Sequence, residues 1–191
     1  MTRWLRCLSL VLALVSLPAG ATTLGLNLSN NSVRGLYSRP LGTYNRWGTP
    51  YFGAGALYSG DRSTKMVHLG LQMTGDANAQ QLLMRVGLGG RLYYADSDAG
   101  NGAALGLGGH FTAKLPRYNR ISLRARAFFA PNVLAFNDFS QFYEYGVDVD
   151  YQVLKRAYVY AGYRQVEAKL SRSGRTVPLD TGFLVGLRLG F

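Results

Sequence analysis

Cysteine is almost missing from this chain: Cys7 is the only one in 191 residues. It lies in a leader-like N-terminal segment, so the rest of the chain offers no disulfide framework, no thiolate metal ligand and no cysteine nucleophile. Acids are scarce as well, with 10 Asp+Glu against 21 Lys+Arg and a formal charge of +11. The two histidines, His68 and His110, stand alone, without a His-x-His pair or clustered carboxylates. Neither a metal site nor a cofactor is therefore expected. Past the leader no segment offers 18 consecutive apolar residues, which excludes a transmembrane helix there. Proline is sparse, glycine is abundant, and no low-complexity tail or linker divides the chain, which points to one domain.

The first 21 residues have the pattern of a secretory signal peptide. Arg3 and Arg6 supply its positive start, residues 8–17 its apolar stretch, and Ala19-Gly20-Ala21 the small residues for cleavage before Thr22. An apolar stretch of roughly 10–12 residues is too short to cross about 30 Å of hydrocarbon, which argues against an anchor. Without the leader, 19 Lys+Arg still face 10 Asp+Glu. In a cytosolic protein that balance, with this many aromatics, would suggest nucleic acid. For an exported chain the anionic partners are membrane lipids, lipopolysaccharide phosphates and acidic solutes instead. No nucleic acid and no particular partner protein are expected.

What the remaining residues 22–191 do contain is alternation of period two, in segments of about 8–14 residues. A membrane β-barrel needs that pattern, because each strand shows one face to lipid and the other to the lumen. In residues 141–153, Tyr143, Tyr145, Val147, Val149, Tyr151 and Val153 take one face, and Phe142, Glu144, Gly146, Asp148, Asp150 and Gln152 the other. In residues 120–129 the apolar row is Ile121, Leu123, Ala125, Ala127 and Phe129, opposite Arg120, Ser122, Arg124, Arg126 and Phe128. Residues 66–74, 81–94, 103–115 and 156–169 sort in the same way, with Arg85, Arg91, Lys114 and Arg164 among the inward residues and Leu115 outward. Adding residues 50–59 and an opening hairpin, 23–29 with 33–39, gives a ten-strand antiparallel meander. Eight strands is the alternative, if the N-terminal pair packs elsewhere. Connections at 75–80, 116–119 and 154–155 read as short periplasmic turns, and those at 95–102, 131–140 and 171–178 as longer extracellular loops.

The last strand is the most specific feature. Phe183, Val185, Leu187, Leu189 and Phe191 alternate up to the C-terminus, with Gly186 upstream of the final aromatic. This pattern resembles the C-terminal assembly signal of bacterial outer-membrane barrels, and so implies the assembly machinery as a partner during biogenesis and the outer membrane as the address. A soluble periplasmic β-sandwich would also alternate but has no reason to end this way. Gly87-Leu88-Gly89-Gly90 and Gly106-Leu107-Gly108-Gly109 complete no phosphate-loop motif and fall inside strands, where barrel curvature and close packing explain them.

The inferred lumen carries Arg85, Arg91, Arg120, Arg124, Arg126, Arg164 and Arg188 against Glu144, Asp148 and Asp150. Cross-strand pairing that neutralises buried charge is the plainest role for this network. The sharper reading is an anion-preferring narrow channel, because bases outnumber acids, although the bulk of the arginines and aromatics argues against it. A lipid-modifying enzyme comes third, with no Ser-His pairing suggested by spacing and no catalytic residue to name. Pro131, Val133, Leu134 and Phe136 form an unusually apolar loop, expected to fold over the mouth as a lid or to lie in the outer leaflet. The leading expectation is an outer-membrane protein of structural or interaction type without catalytic activity.

Six stretches taken together resemble the YfaZ-type outer-membrane proteins. They are Gly89-Gly90-Arg91-Leu92-Tyr93, Gly108-Gly109-His110-Phe111, Phe129-Ala130-Pro131-Asn132-Val133-Leu134-Ala135-Phe136, Tyr151-Gln152-Val153-Leu154, Tyr160-Ala161-Gly162-Tyr163-Arg164 and Val185-Gly186-Leu187-Arg188-Leu189. The resemblance implies a signal peptide, a small barrel and an outer-membrane address. It brings no assigned activity and no catalytic residues.

Overall fold

The computed structural model describes residues 22–43, 46–60, 63–77, 82–114, 118 and 120–191. The signal-peptide segment, Leu115 and Pro116 lie outside them. The strands are β1 (Thr23–Ser29), β2 (Ser32–Pro40), β3 (Thr49–Ser59), β4 (Thr64–Asp76), β5 (Leu83–Ser97), β6 (Gly100–Lys114), β7 (Ile121–Ala130), β8 (Ala135–Asn137), β9 (Phe139–Leu154), β10 (Ala157–Leu170) and β11 (Thr176–Gly190). Neighbours in sequence pair antiparallel, except that the short β8 lies within the β7–β9 connection and adds to the end of β6. Strand β1 pairs with β11 from Thr23↔Gly190 to Ser29↔Leu184. Ten strands thereby close into a meander barrel, with the N-terminal hairpin as part of the wall. Closure gives each of the ten wall strands a partner on both sides, and only the short β8 is paired on one side.

Alternation dictates which way each side chain points. Val147, Val149, Tyr151 and Val153 of β9, Val67, Leu69 and Leu71 of β4, and Val185, Leu187 and Leu189 of β11 are exposed on the outer wall. Their neighbours in sequence point inward and are mostly buried. Outward aromatics gather toward both ends of this wall. Tyr58, Tyr94, Phe129, Tyr143, Tyr163 and Phe183 lie toward the β1–β2 hairpin end, and Phe52, Phe111 and Tyr151 toward the opposite end, which holds Thr22 and Phe191 and is called the terminal end. Phe129 stacks on Tyr143 at 5.0 Å, and Tyr163 meets Phe183 edge-on at 5.5 Å. An apolar belt between aromatic girdles is the outer surface of a lipid-embedded barrel. Replacing Val149, in mid-wall, by Arg is therefore expected to lower stability by about 2–4 kcal/mol in a bilayer. Urea titration of the protein in lipid vesicles measures it. A change within about 0.5 kcal/mol, as at an ordinary aqueous surface, would mean that this wall does not face lipid.

The connections correct the expected short-and-long alternation. Residues 95–102, expected as a long loop, continue the ladder through Ala95↔Gly102, Asp96↔Asn101 and Ser97↔Gly100, leaving a two-residue tip at Asp98 and Ala99. The polar residues that suggest a loop belong to a hairpin standing beyond the apolar belt. Residues 176–178, also expected as loop, begin β11. Pro178 is accommodated there because the ladder shifts register between Val166/Glu167, where Val166 faces Asp180 and Glu167 faces Pro178. A bulge tolerates a residue that cannot donate to the ladder. At the terminal end, the 41–48 connection is as long as the 131–138 connection at the hairpin end. Loop length thus does not separate the two ends.

Inside, the two halves of the barrel differ. The hairpin half is filled by an apolar cluster that includes Leu57, Met66, Tyr93, Phe128, Phe139, Phe142, Val166 and Leu179. Tyr93 lies 4.4 Å from Phe142, ring centre to ring centre. The terminal half holds charge and open space. Many inward glycines stand directly opposite a large inward residue: Gly55 faces His68, Gly70 faces Arg91, Gly87 faces His110 and Gly186 faces Tyr160. A Cβ at any of the four would come within 2.7 Å of that partner. These glycines give their lumen volume to the neighbouring strand's side chain.

Candidate functional site in the barrel lumen

Strand β9 brings Glu144, Asp148 and Asp150 to the lumen two and four residues apart, and each is paired with arginines of other strands. Glu144 has no exposed surface. Arg34 Nη1 of β2 donates to its Oε1 at 2.7 Å, and the Tyr93 hydroxyl of β5 donates to Oε2 at 2.6 Å. Arg91 Nη1 stands 3.4 Å from Oε2, and Arg126 Nε of β7 stands 3.6 Å from Oε1. One carboxylate thus ties four strands together across the bore. Arg126 reaches it because its cross-strand partner is Gly146, so the guanidinium lies over a bare backbone and also donates to Asp148 Oδ2 at 2.6 Å.

Nearer the terminal end, Asp150 accepts from Arg188 Nη1 at 2.7 Å and faces Arg124 Nη2 at 3.5 Å. Arg188 also lies over the Tyr160 ring, as Arg91 does over Phe128, at 4.5 and 4.0 Å. A second knot joins β1, β2, β10 and β11. Arg164 donates to Asp180, to Asn27 Oδ1 at 2.7 Å and to Ser32 Oγ at 3.1 Å, while Asn27 Nδ2 donates to the Tyr160 hydroxyl at 3.0 Å. Buried charges are tolerable only when paired and hydrogen-bonded to this extent.

Eight of the ten residues expected in the lumen network lie in it: Arg91, Arg124, Arg126, Glu144, Asp148, Asp150, Arg164 and Arg188. Two do not. Arg85 sits at the terminal rim, about half exposed, paired with Asp76 at 3.2 Å. Arg120 precedes β7 and is exposed, because strand alternation no longer governs a residue in the turn. Sequence reasoning missed Arg34, Asn27 and Asp180. Arg34 was within reach, since it stands opposite in parity to the outward Val33. Asp180 was hidden by the bulge, which turns both Leu179 and Asp180 inward.

The two histidines lie on the inner wall, His68 on β4 and His110 on β6. Arg34 Nη2 donates to His68 Nδ1 at 3.4 Å. In the amide orientation that satisfies both ends, Gln72 donates to His110 Nδ1 at 2.8 Å and accepts from Arg91 at 3.1 Å. Among the described residues, no group of three or more His, Cys, Asp or Glu is placed to hold a metal ion.

Below the charge belt a cavity of about 760 Å³ runs from Arg34, His68, Arg91 and Arg126 at its floor to Thr22, Lys114, Arg156 and Phe191 at the terminal rim. Nine of its lining residues are Arg or Lys, and one is Asp. None of the apolar cluster in the hairpin half lines it.

The remaining expected residues lie elsewhere. Phe183, Val185, Leu187 and Leu189 point outward from β11, Gly186 lies under Tyr160, and the Phe191 N–H donates to the Thr22 carbonyl at 2.8 Å. Pro131 caps a single 3-10 turn, Asn132–Leu134. Leu134 packs on the apolar cluster, whereas Val133, 80% exposed, and Phe136 project away from it.

The family described as YfaZ precursor matches residues 5–191 of the chain. Among the solved structures that resemble it are the following two. The KdgM porin is 12% identical, with a TM-score of 0.44 over 90% of this chain and 99% of that one. A chain from work on the mechanism behind in-meso crystallization of membrane proteins is also 12% identical, with a TM-score of 0.45 over 90% of this chain and 83% of that one. No curated protein matches the chain.

Proposed function

The chain belongs to the YfaZ family, and from that premise we propose that it is a closed outer-membrane barrel of structural or interaction type, without catalytic activity. In this reading residues 1–21 are removed on export, and the terminal end faces the periplasm. The hairpin end faces outward with Val133 and Phe136, in contact with outer-membrane lipid and lipopolysaccharide. The C-terminal strand engages the assembly machinery during insertion. The observation that carries the reading is the filled bore, with Glu144 bridged by Arg34, Arg91 and Arg126 and the Tyr93–Phe142 cluster stacked above it. An ion crossing the barrel would have to part both layers.

The second reading, a narrow anion-preferring channel, draws on the basic lining of the terminal cavity. Planar-bilayer recording separates the two. A closed barrel gives no steady conductance over the range in which the bilayer itself is stable. Steady openings that prefer anions, and lose that preference in Arg126→Gln, would sink the closed reading in favour of the channel. Acyl release from labelled lipopolysaccharide or phospholipid would overturn the absence of catalysis.

A further inference from the structure

The charge of the lumen is not balanced evenly along its length. At the floor of the cavity Arg34, Arg91 and Arg126 converge on Glu144, and on the wall Arg124 and Arg188 share Asp150. At the rim Lys114, Lys155 and Arg156 have no ion-pair partner among the described residues. Arginines outnumber their acids at floor and wall alike, and the excess is largest at the mouth, where Asp76 is already paired with Arg85. Within low-dielectric walls, an excess of one sign concentrates anions in the cavity.

Arg124 is the least committed of the inner arginines. Among the described residues its one ion pair is the 3.5 Å approach to Asp150 and its Nε has no hydrogen-bond partner, and its side chain stays 30% exposed in the cavity. A guanidinium carries five donors in a planar fork suited to carboxylate and phosphate oxygens. Ser122 and Thr112 flank it, Ser122 on the same inner face of β7 and Thr112 directly opposite across the β6–β7 ladder. The cavity volume, about 760 Å³, lies in the range of small-molecule sites.

We propose that the cavity is a binding site, entered from the terminal end, for a small multivalent anion bearing phosphate or carboxylate groups, with Arg124 and Lys114 as its principal contacts. This goes beyond the closed-barrel reading, because it requires binding and no passage. Rim lysines and Arg156 capture the ligand, Arg124 holds one anionic group, and the Glu144 belt is the floor that stops it.

Titration calorimetry on the refolded barrel in neutral detergent tests this with tripolyphosphate, with citrate, and with raffinose as an uncharged probe. Saturable one-to-one binding of tripolyphosphate or citrate, but not of raffinose, is expected, and the two anions show whether phosphate or carboxylate is preferred. The pair Lys114→Gln with Arg124→Gln should weaken it about tenfold or more, since each removes a charge-assisted contact. Lys155→Gln with Arg156→Gln, in the exposed β9–β10 turn, gives a second pair should the first not refold, and should weaken binding as well. Arg172→Gln, exposed at the hairpin end, should change nothing. No saturable binding of either anion overturns the proposal, as does binding that both pairs leave intact or that Arg172→Gln weakens equally. Conductance is recorded separately, so an open pore and a missing site remain distinct results.

Discussion

Replacing Glu144 by Gln should destabilise the barrel by about 3–5 kcal/mol, the cost of leaving buried charge unpartnered. Gln keeps the shape of the side chain and can still accept from the Tyr93 hydroxyl, so packing barely changes. What it removes is the one negative charge on which Arg34, Arg91 and Arg126 converge. Of the three, Arg126 keeps Asp148, whereas Arg34 has no other acid among the described residues. Arg34 is almost fully buried and contributed by β2. The loss should therefore appear as a lower urea midpoint in lipid vesicles, and as a lower temperature at which the folded band disappears on gels.

The order of the variants is the sharper check. Arg34→Met leaves Glu144 with Arg91 and Arg126 and should cost less than Glu144→Gln. The double variant, which removes both members of the 2.7 Å pair, should cost less than the sum of the singles, because the unpartnered guanidinium is gone. Equal and additive costs would show that the belt acts by packing alone.

Much of this belt was legible in the chain because barrel strands impose a strict period of two. Once Val147 and Val149 are taken as outward, Asp148 and Asp150 can only point into the lumen, and the same parity places Arg124, Arg126 and Arg188. Two kinds of information stayed hidden. Alternation says that two residues share a lumen but not at what height. The meeting of Arg34 with Glu144, 110 positions apart, depends on strand registers that no single strand displays. The pattern also fails wherever the strand does, as at the 179–180 bulge and at Arg120. For the same reason the asymmetric interior, with its apolar plug toward the hairpins and its basic cavity toward the termini, could not be read. Inward residues were visible as a set, but their heights were not. The glycine-rich stretches were rightly placed within strands, but which neighbour packs against each glycine depends on register and could not be read from them.

That last point leads to the other large effect, at Gly108 in β6. Here the neighbour is backbone. A Cβ at Gly108 would come within 2.0 Å of the Ala127 carbonyl oxygen and 2.7 Å of the Phe128 Cα. No rotamer change relieves such a contact. Strand β7 would have to move away from β6, taking Arg124 and Arg126 with it. Gly89 of β5 has the same relation to Leu71 of β4, with the carbonyl oxygen at 2.0 Å. The two glycines face one another in the β5–β6 ladder, so this part of the wall approaches its neighbours closely on both sides. Gly108→Val is expected to exceed the ~1–3 kcal/mol usual for overpacking, and to abolish the folded, boiling-sensitive band on refolding. Gly35→Ala in β2 is the matched control. A Cβ there meets nothing within 4 Å, so the folded band should persist with a slightly higher urea midpoint, since alanine gives up less backbone freedom on folding. If Gly108→Val folds as well as Gly35→Ala, the wall between β5, β6 and β7 is more yielding than its backbone contacts require, and its glycines are there for another reason.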